Sequence, residues 1–345
     1  MVKAGIINVT GYAGIEIARI LQRHPEVEIT CITGRSSVGK NIKEIFPHLA
    51  PIDMTISEDI TESVDVVFSA LPHAASAERL GPLVSSGIKA IDISADFRLD
   101  DISEYHHWYK VNHPHPDLIK ESVYGLPEIN RNKISTANLV ANPGCYPTAA
   151  ILAMAPAIKA GIIEPDIIID AKSGVSGAGR KASIENLYSE INENLRVYAL
   201  DGHRHMPEIA QELRKLEPVR EPSVTFVPHL VPMTRGILAT CYAPLNPDNS
   251  SLEENPDFRI REVYKDFFNQ APFTHITERA PETKNTLGNN DCNVFPVIDT
   301  RSNRLIVVSC IDNLVKGAAG QAVQNMNLMF GLAEDQGLGQ LALYP

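Results

Sequence analysis

A cysteine at the start of a predicted helix is the residue in this sequence whose position most favours covalent chemistry. Cys145 follows Pro143 and Gly144, which end a short apolar run, and residues 148–159 have helical composition. The positive end of a helix dipole lowers the pKa of a thiol and makes it nucleophilic. N–H groups of the same turn can also stabilise an oxyanion. We therefore predict that Cys145 is a nucleophile, the alternative being a buried and inert thiol.

The other four cysteines lack such a setting. Cys31, Cys241 and Cys310 lie inside apolar strand-like runs, and Cys292 is predicted in a loop without a helix start. The five thiols are far apart, odd in number and form no C-x-x-C pair. This pattern excludes a disulfide framework and a cysteine-rich zinc site, and predicts that the four are small buried hydrophobic residues.

A cysteine nucleophile needs a proton acceptor, and the segment "DGHRHMPEI" offers His203 and His205. A spacing of two puts both on one side of an extended segment, and Pro207 with Glu208 predicts the first turn of a following helix. The same pair could be a surface loop. As metal ligands they lack a third partner at the usual spacing. The histidine-rich run at 106–116 is predicted as a polar loop, so we expect no metal.

A glycine turn near the beginning of the sequence predicts a dinucleotide site. Gly11 and Gly14 lie between a strand pattern and a helix pattern, where a pyrophosphate can approach backbone N–H groups. Asn8 or Val9 takes the place of an upstream glycine, and Asn8 can substitute for it because Asn tolerates a left-handed backbone. After the second strand, Arg35, Ser36, Ser37 and Lys40 stand where a cofactor with a free 2'-hydroxyl would call for an acid. This favours NADPH over NADH, the alternative being a solvated basic loop.

Several arginines lie near the ends of predicted strands. The segment "AKSGVSGAGR" is a glycine and serine loop that can hold phosphate and that ends in Arg180. Arg98 and Arg235 follow or precede other apolar runs. Any one of them could be an ordinary surface arginine, but together they favour an anionic substrate in a chain whose net charge is −11.

The elements that must position these residues change character along the chain. The first half alternates short apolar runs with helical stretches, which predicts a parallel sheet with helices on both faces. After residue 160, β-like runs have fewer helices between them and predict a second domain with a mostly antiparallel sheet. From residue 315 to 332 a helical pattern returns, and we expect this helix to pack on the first domain.

Composition excludes several functional classes. The chain has 345 residues, which favours two domains. The acidic balance argues against nucleic acid as a partner. No apolar run approaches the length of a membrane span, and the sequence enters a strand pattern with no signal peptide ahead of it, so a cytoplasmic location is expected.

The motifs resemble those of the N-acetyl-gamma-glutamyl-phosphate reductases, NADPH-dependent enzymes of arginine biosynthesis. The segment "VANPGCYPTAAILAMAP" is similar to that family's active-site signature. The segments "TGYAGIE", "ALPHAAS", "DISADFRL", "KSGVSGAGR", "HRHMPEI", "PHLVPMTRGI" and "DNLVKGAAGQAVQNMN" follow in family order over essentially the whole chain. Asn8 departs from the family pattern, which usually has a glycine there.

The resemblance implies an α/β fold with a Rossmann domain, residues 1–147 and 315–345, and an α+β catalytic and dimerisation domain, residues 148–314. It implies an acyl phosphate substrate, NADP and a homodimer or homotetramer. Cys145 would be the nucleophile and His205 the acid/base. Substrate contacts would come from Arg98, Arg180, His203 and Arg235. Cofactor contacts would come from Thr10, Gly11, Tyr12, Gly14, Arg35, Ser36, Ser37, Ser176, Gly177 and Asn313.

Three other functions share parts of this pattern. Aspartate-semialdehyde dehydrogenase and a lysine-pathway reductase acting on a carrier-bound aminoadipyl phosphate use the same chemistry, so substrate profiling must separate them. A cofactor-sensing regulator would keep the fold without turnover. The regulator hypothesis does not require a reactive Cys145 together with His205, whereas an enzyme does.

Overall fold

The computed structural model describes residues 1–217, 220–249 and 255–344. By backbone packing the chain divides into a first unit, Met1–Gly144 with Ala318–Gly339, and a second unit, Cys145–Gly317 with Gln340–Pro345. Among the helices of these described ranges, none has the length and apolar character needed to cross a bilayer.

The first unit contains a parallel sheet. Its strands are β1 (Val2–Ile7), β2 (Val27–Ile32), β3 (Val66–Ser69), β4 (Lys89–Asp92), β5 (Val123–Tyr124) and β6 (Leu139–Ala141). Its helices are α1 (Tyr12–Leu21), α2 (Ile42–Ile45), α3 (Ser76–Ser85), α4 (Ile102–Tyr109), α5 (Pro116–Glu121), α6 (Pro127–Ile134) and α11 (Gly320–Met329), with a 3-10 helix at Pro47–Leu49. The strand order is β2-β1-β3-β4-β6-β5, so the direction of winding reverses between β1 and β3.

Both faces of the parallel sheet are buried. Ile7, Val67 and Ala90 form one hydrophobic cluster with residues of α3. Successive side chains of a strand point to opposite faces, so Phe68 and Ile91 belong to the other face, and both are fully buried. This accounts for the continuous apolar runs of these strands and confirms the predicted α/β class. The helical pattern after residue 315 packs as predicted, since α11 contacts α1, α6 and β4.

The second unit contains a mixed sheet in the order β11-β12-β13-β10-β7-β9-β8. The strands are β7 (Asp166–Ser173), β8 (Arg196–Val197), β9 (Ser223–Leu230), β10 (Ile237–Pro244), β11 (Thr274–Ile276), β12 (Cys292–Asp299) and β13 (Arg304–Ile311). The helices are α7 (Cys145–Lys159), α8 (Tyr188–Ile191), α9 (His205–Leu216) and α10 (Pro256–Phe267), with 3-10 helices at Val175–Ala178, Ile184–Asn186 and Thr283–Thr286. A π-helical turn, Val315–Ala319, follows β13. The pairs β11–β12 and β7–β9 are parallel and the others antiparallel, which confirms a mostly antiparallel sheet.

Two local predictions were wrong. Cys292 is the buried first residue of β12, because its backbone pairs with Thr274 of β11 and this extends the strand. Part of the predicted polar loop at 106–116 is helical, since α4 continues to Tyr109. Asp101 caps α4 by accepting the N–H of Ser103 at 2.7 Å, a start signal that lies ahead of the histidine run.

Candidate active site

Cys145 is the first residue of α7, three residues earlier than its helical composition predicted. The helix can begin there because Pro147 falls in the first turn, where a missing N–H breaks no intrahelical bond. Further along, α7 is apolar on all sides and packs against β10, β13, α9 and α10. Cys145 is partly exposed, whereas the other four cysteines are buried. The structure thus places one accessible thiol at the positive end of a buried helix.

Gly317, in the π-helical turn, lies directly against this thiol-bearing residue. A Cβ added to Gly317 would come 2.8 Å from the Cβ of Cys145 and 3.2 Å from its Cα. The Gly317 N–H donates to the carbonyl of Asp312 at 2.9 Å, which fixes the turn. A π turn is rare and is often found at functional sites. Its composition gives no periodic signal, so sequence reasoning missed this contact.

His205 is the first residue of α9, and α9 packs on α7. The ring of Tyr146, the neighbour of Cys145 in the chain, lies with its centroid 6.0 Å from that of His205 and 5.9 Å from that of His203. The structure therefore brings both histidines to the start of α7. The predicted extended segment is wrong, because Arg204 lies in a turn with helical φ and ψ and the helix begins at His205, two residues before Pro207.

His203 packs among aromatic rings. Its ring centroid is 4.8 Å from that of His205, 5.2 Å from that of Phe226 and 5.6 Å from that of Tyr198. Burial lowers the pKa of His203 to about 4, and the positive charge of Arg204 adds to the effect. The ring is therefore neutral at physiological pH.

Tyrosine hydroxyls form a chain beside Cys145. Tyr198 donates to the hydroxyl of Tyr146 at 3.2 Å, and Tyr146 donates to the carbonyl of His229 at 3.1 Å. Burial raises the pKa of Tyr198 to about 12 and raises that of Tyr146 as well, and negative charge on Cys145 raises both further. Both hydroxyls therefore stay protonated next to the thiol. Sequence reasoning did not single out either tyrosine, although Tyr146 adjoins Cys145 in the chain.

The loops that follow β7 and β13 and precede β10 are joined by side chains. Asn313 donates to the hydroxyl of Ser176 at 2.9 Å and accepts the N–H of Gly236 at 2.8 Å. Arg235 pairs with the buried Asp312 at 3.4 Å. The structure thus brings together three residues predicted from different motifs, Ser176, Asn313 and Arg235. Asp312, which sequence reasoning missed, lies at the end of an apolar strand beside Asn313.

The remaining second-unit candidates lie along the glycine and serine loop. Gly177 is exposed, and a Cβ there would lie 3.2 Å from the hydroxyl of Ser173. Arg180 is exposed, so its predicted contact with substrate stays a prediction. Over the described ranges, no group of three or more histidine, cysteine, aspartate or glutamate side chains could hold a metal ion.

Arg98, in the first unit, is buried and bonded to backbone. Its Nε donates to the carbonyl of Asn142 at 2.8 Å, and its Nη2 donates to that of Ile93 at 2.7 Å. These bonds tie together the segments that follow β4 and β6. Its predicted role in substrate binding stays a prediction.

The turn between β1 and α1 has the form that a dinucleotide requires. Asn8 has a left-handed φ of 63°, and its side-chain amide donates to the carbonyl of Ala70 at 2.7 Å. A Cβ on Gly14 would come 2.5 Å from the carbonyl oxygen of Asn8, so only glycine fits. Thr10, Gly11 and the exposed Tyr12 complete the turn. The turn lies where winding reverses between β1 and β3, which is where open α/β sheets bind nucleotides.

The segment after β2 fits a phosphorylated ribose. Arg35 and Ser36 are exposed and Ser37 is partly exposed. No acidic side chain occurs between β2 and Lys40 to repel a 2'-phosphate. The residues present therefore fit NADP better than NAD.

Comparison with known proteins assigns both units to the semialdehyde dehydrogenases. A family model described as semialdehyde dehydrogenase, NAD binding domain, matches residues 3–137, and one described as semialdehyde dehydrogenase, dimerisation domain, matches residues 145–313. The chain is 52% identical over 343 residues to an N-acetyl-gamma-glutamyl-phosphate reductase of Dehalococcoides mccartyi, with 99% of each chain covered. It is 46% identical over 354 aligned positions to the protein of that name from Geotalea daltonii, with 100% of each covered.

Solved structures share the fold at low identity. Aspartate semialdehyde dehydrogenase II from Vibrio cholerae, in complex with ASA, aligns with a TM-score of 0.72 at 18% identity, covering 96% of this chain and 98% of that one. Aspartate semialdehyde dehydrogenase with NADP from Candida albicans aligns with a TM-score of 0.71 at 16% identity and the same coverage. At such identity the likeness shows the fold alone.

Proposed function

Since this chain belongs to the N-acetyl-gamma-glutamyl-phosphate reductase family of semialdehyde dehydrogenases, we propose that it works through a thioester on Cys145. It is an NADP-dependent oxidoreductase of arginine biosynthesis that converts N-acetyl-L-glutamyl 5-phosphate to N-acetyl-L-glutamate 5-semialdehyde and phosphate. The observation that carries the proposed mechanism is the partly exposed Cys145 at the start of α7, with His205 at the start of the adjoining α9.

In the first step the Cys145 thiolate attacks the carbonyl carbon of the acyl phosphate. A C–S bond forms, the C–O bond to phosphate breaks, and inorganic phosphate leaves with the electron pair. The helix dipole of α7 favours the thiolate, and N–H groups of its first turn stabilise the oxyanion. Forming a thioester divides one difficult reduction into two easier steps.

In the second step the thioester is reduced to an aldehyde. Bound NADPH supplies the hydride for the thioester carbon. His205 donates a proton to the oxyanion of the resulting thiohemiacetal and takes it back as the C–S bond breaks. The aldehyde leaves and the Cys145 thiolate is regenerated. Tyr146 and Tyr198 hold the thiol's surroundings in place with neutral hydroxyls.

The residues proposed to hold NADP are those of the β1–α1 turn and of the segment after β2. Gly14 lets the pyrophosphate approach the N-terminus of α1, and Arg35 with Ser36 and Ser37 would meet the 2'-phosphate. In the second unit, Ser176, Gly177 and Asn313 are further proposed contacts. The turn has no room for a Cβ at the buried Gly14, and this supports the assignment.

We propose that the anionic groups of the substrate are held by arginines. Arg180 is exposed at the end of the loop after β7, and Arg235 is half-buried beside Asp312. An arginine that already pairs with a buried carboxylate has a fixed orientation, which suits a bidentate contact with carboxylate or phosphate. Arg98 is a further proposed substrate contact, and the family resemblance implies the same role for His203.

We propose a homodimer formed through the second unit. One row of directly paired residues crosses five neighbouring strands of the mixed sheet, from β12 to β9. It consists of Val297, Ile306, Tyr242, Ile168 and Thr225. All five side chains are partly or fully exposed, while their strand neighbours point to the opposite, buried face. An apolar row of this length favours a second copy of the chain. The match to a dimerisation domain over residues 145–313 supports a second copy of the chain as the partner at this surface.

We also propose a cytoplasmic location. The five cysteines are all free thiols, and free thiols persist where the surroundings are reducing.

The test is phosphate-dependent reduction of NADP by the purified protein with N-acetylglutamate semialdehyde, with NAD and aspartate semialdehyde as comparisons. We expect activity with the acetylated aldehyde and NADP, and loss of that activity after iodoacetamide or in Cys145→Ser. Cys31→Ser is the matched control, because Cys31 is buried in the other unit. Near-normal turnover by Cys145→Ser would contradict the thioester, and preference for aspartate semialdehyde would contradict the substrate.

A further inference from the structure

We propose that His203 is a positioning residue whose Nδ1 atom fixes the first turn of α9 and thereby places His205. The inference rests on the proposed function, because His205 is the acid/base of that mechanism. It gives His203 a task different from the substrate contact that the family resemblance implies.

Arg204 is the N-cap residue of α9 and its own side chain makes no capping hydrogen bond. His203, the residue before it, supplies a capping bond to the first turn instead. Its Nδ1 accepts the backbone N–H of His205 at 3.1 Å, and its carbonyl accepts the N–H of Met206 at 2.9 Å. An N-cap residue accepts the N–H two or three residues on with its side chain, while its carbonyl accepts the first bond of the helix. Serine, threonine, aspartate and asparagine usually take this place. Here an imidazole nitrogen makes a bond of this kind from the residue ahead of the N-cap, and the N–H it receives belongs to His205.

The cap requires one protonation state. An accepting Nδ1 carries no proton, so the neutral ring has its proton on Nε2. A protonated imidazole would turn Nδ1 into a donor facing another donor. Burial and the neighbouring Arg204 both disfavour that charged form. The neutral ring is then held in place by the aromatic contacts with Tyr146, Tyr198 and Phe226.

The consequence concerns His205 because its backbone and its ring both contact His203. The bond to His205 N–H sets where α9 begins, and the two rings lie 4.8 Å apart between centroids. His205 starts the helix, so fraying of this turn would move the acid/base directly. A displacement of about 1 Å at a catalytic group can cost about a hundredfold in rate. The expected loss therefore appears in kcat rather than in substrate binding.

Two variants separate the acceptor from the ring. In His203→Asn the Oδ1 atom stands the same number of bonds from the backbone as Nδ1, so the acceptor is kept and the ring is lost. In His203→Phe the ring is kept and the acceptor is lost. We expect His203→Phe to lower kcat at least about tenfold with little change in KM, and His203→Asn to recover most of that loss. The pH profile of kcat should shift in His203→Phe and return in His203→Asn.

A second matched pair keeps the test valid if either of these variants folds poorly. His203→Ser and His203→Ala lose the ring equally and differ only by the capping hydroxyl. We expect higher kcat in His203→Ser than in His203→Ala, with melting temperatures recorded for all four proteins.

Three outcomes would overturn the proposal. Equal loss of kcat in His203→Asn and His203→Phe would mean that the imidazole itself does chemistry. A rise in KM without a fall in kcat would make His203 a substrate ligand. Unchanged kinetics in His203→Phe would make the cap immaterial. Failure of the proposed function is a separate result, since then the unmodified protein would not oxidise N-acetylglutamate semialdehyde.

Discussion

Gly317 limits the space around the nucleophile, because a Cβ there would come 2.8 Å from the Cβ of Cys145. We predict that Gly317→Ala lowers kcat at least about tenfold, because the added methyl must displace Cys145 or the turn behind it. Overpacking should also destabilise the protein by about 1–3 kcal/mol. The measurements are steady-state kinetics and the rate at which iodoacetamide labels Cys145.

Gly339→Ala is the control for this change, because a Cβ at Gly339 meets nothing within 4 Å. It should behave like the unmodified protein in both assays. Normal kcat in Gly317→Ala would show that the nucleophile tolerates the displacement, and would contradict the prediction.

Single residues with a distinctive local signal could be predicted from sequence. Cys145 was identified from the turn before it and the helix after it, and Asn8 from its tolerance of a positive φ, which the structure gives as 63°. Tyr198, Phe226 and Gly317 could not be identified in this way. They reach the site from separate elements, and only tertiary packing brings them to Cys145 and the two histidines.

At the scale of elements, the start of α3 depends on two buried carboxylates. Asp96 accepts the N–H groups of Ala74, Ser76 and Ala77 at 2.7–3.1 Å and so satisfies the first turn. Asp92 accepts the hydroxyl of Ser76 at 2.6 Å. Burial raises the pKa of Asp92, and the negative charge of Asp96 raises it further. The folded state therefore binds a proton at Asp92 more readily than the unfolded chain does.

The sign of the pH dependence follows from that raised pKa. The stabilisation is fully present below the ordinary carboxyl pKa of about 4 and is lost as the pH rises through the higher folded value. We predict that Asp92→Asn weakens the dependence of the free energy of unfolding on pH between these two pKa values. The same substitution should raise the free energy of unfolding at pH 7. Urea unfolding between pH 4 and pH 8 can be followed by the fluorescence of the sole tryptophan, Trp108, which lies in the same unit.

The exposed Asp117 provides the control for that experiment. Asp117→Asn should leave the pH dependence as it is in the unmodified protein. Parallel curves for Asp92→Asn and the unmodified protein would show that Asp92 binds no extra proton in the folded state.

Element types were predicted better than element boundaries. The strands were evident from apolar runs, but α9 was expected near Pro207 and begins at His205. The reason is the cap from His203, a residue type that propensity does not associate with helix starts. The start of α4 was missed in a similar way, because histidine-rich composition masked the capping Asp101.

At the scale of the whole molecule, the exposed row on the mixed sheet predicts an effect on assembly. Ile168→Lys places a charge within that row, so we expect the dimer dissociation constant to rise at least about tenfold. Sedimentation velocity over a concentration series measures it. Phe258→Lys is the control, since Phe258 is an apolar, exposed residue on α10, outside the row.

An unmodified protein that sediments as a monomer at micromolar concentration would contradict the dimer. A dimer that Ile168→Lys leaves intact would mean that the interface lies on another face of the protein.

The fold class and the division into a parallel and a mostly antiparallel sheet could be predicted from the sequence. The exposed row could not, because it depends on the register of five strands that are distant in the chain.

The first unit takes its last helix from the stretch Ala318–Gly339, far along the chain, and this delays the completion of its sheet during synthesis. The strands β7 to β13 all lie between residues 145 and 317, so the mixed sheet can form as soon as that stretch has left the ribosome. The parallel sheet is translated earlier but must wait for α11, whose Asn325 bonds to Gly125 and Asn142. The half of the protein that is made first therefore waits for nearly the last part of the chain, and until α11 is made the apolar surface that α11 covers stays exposed.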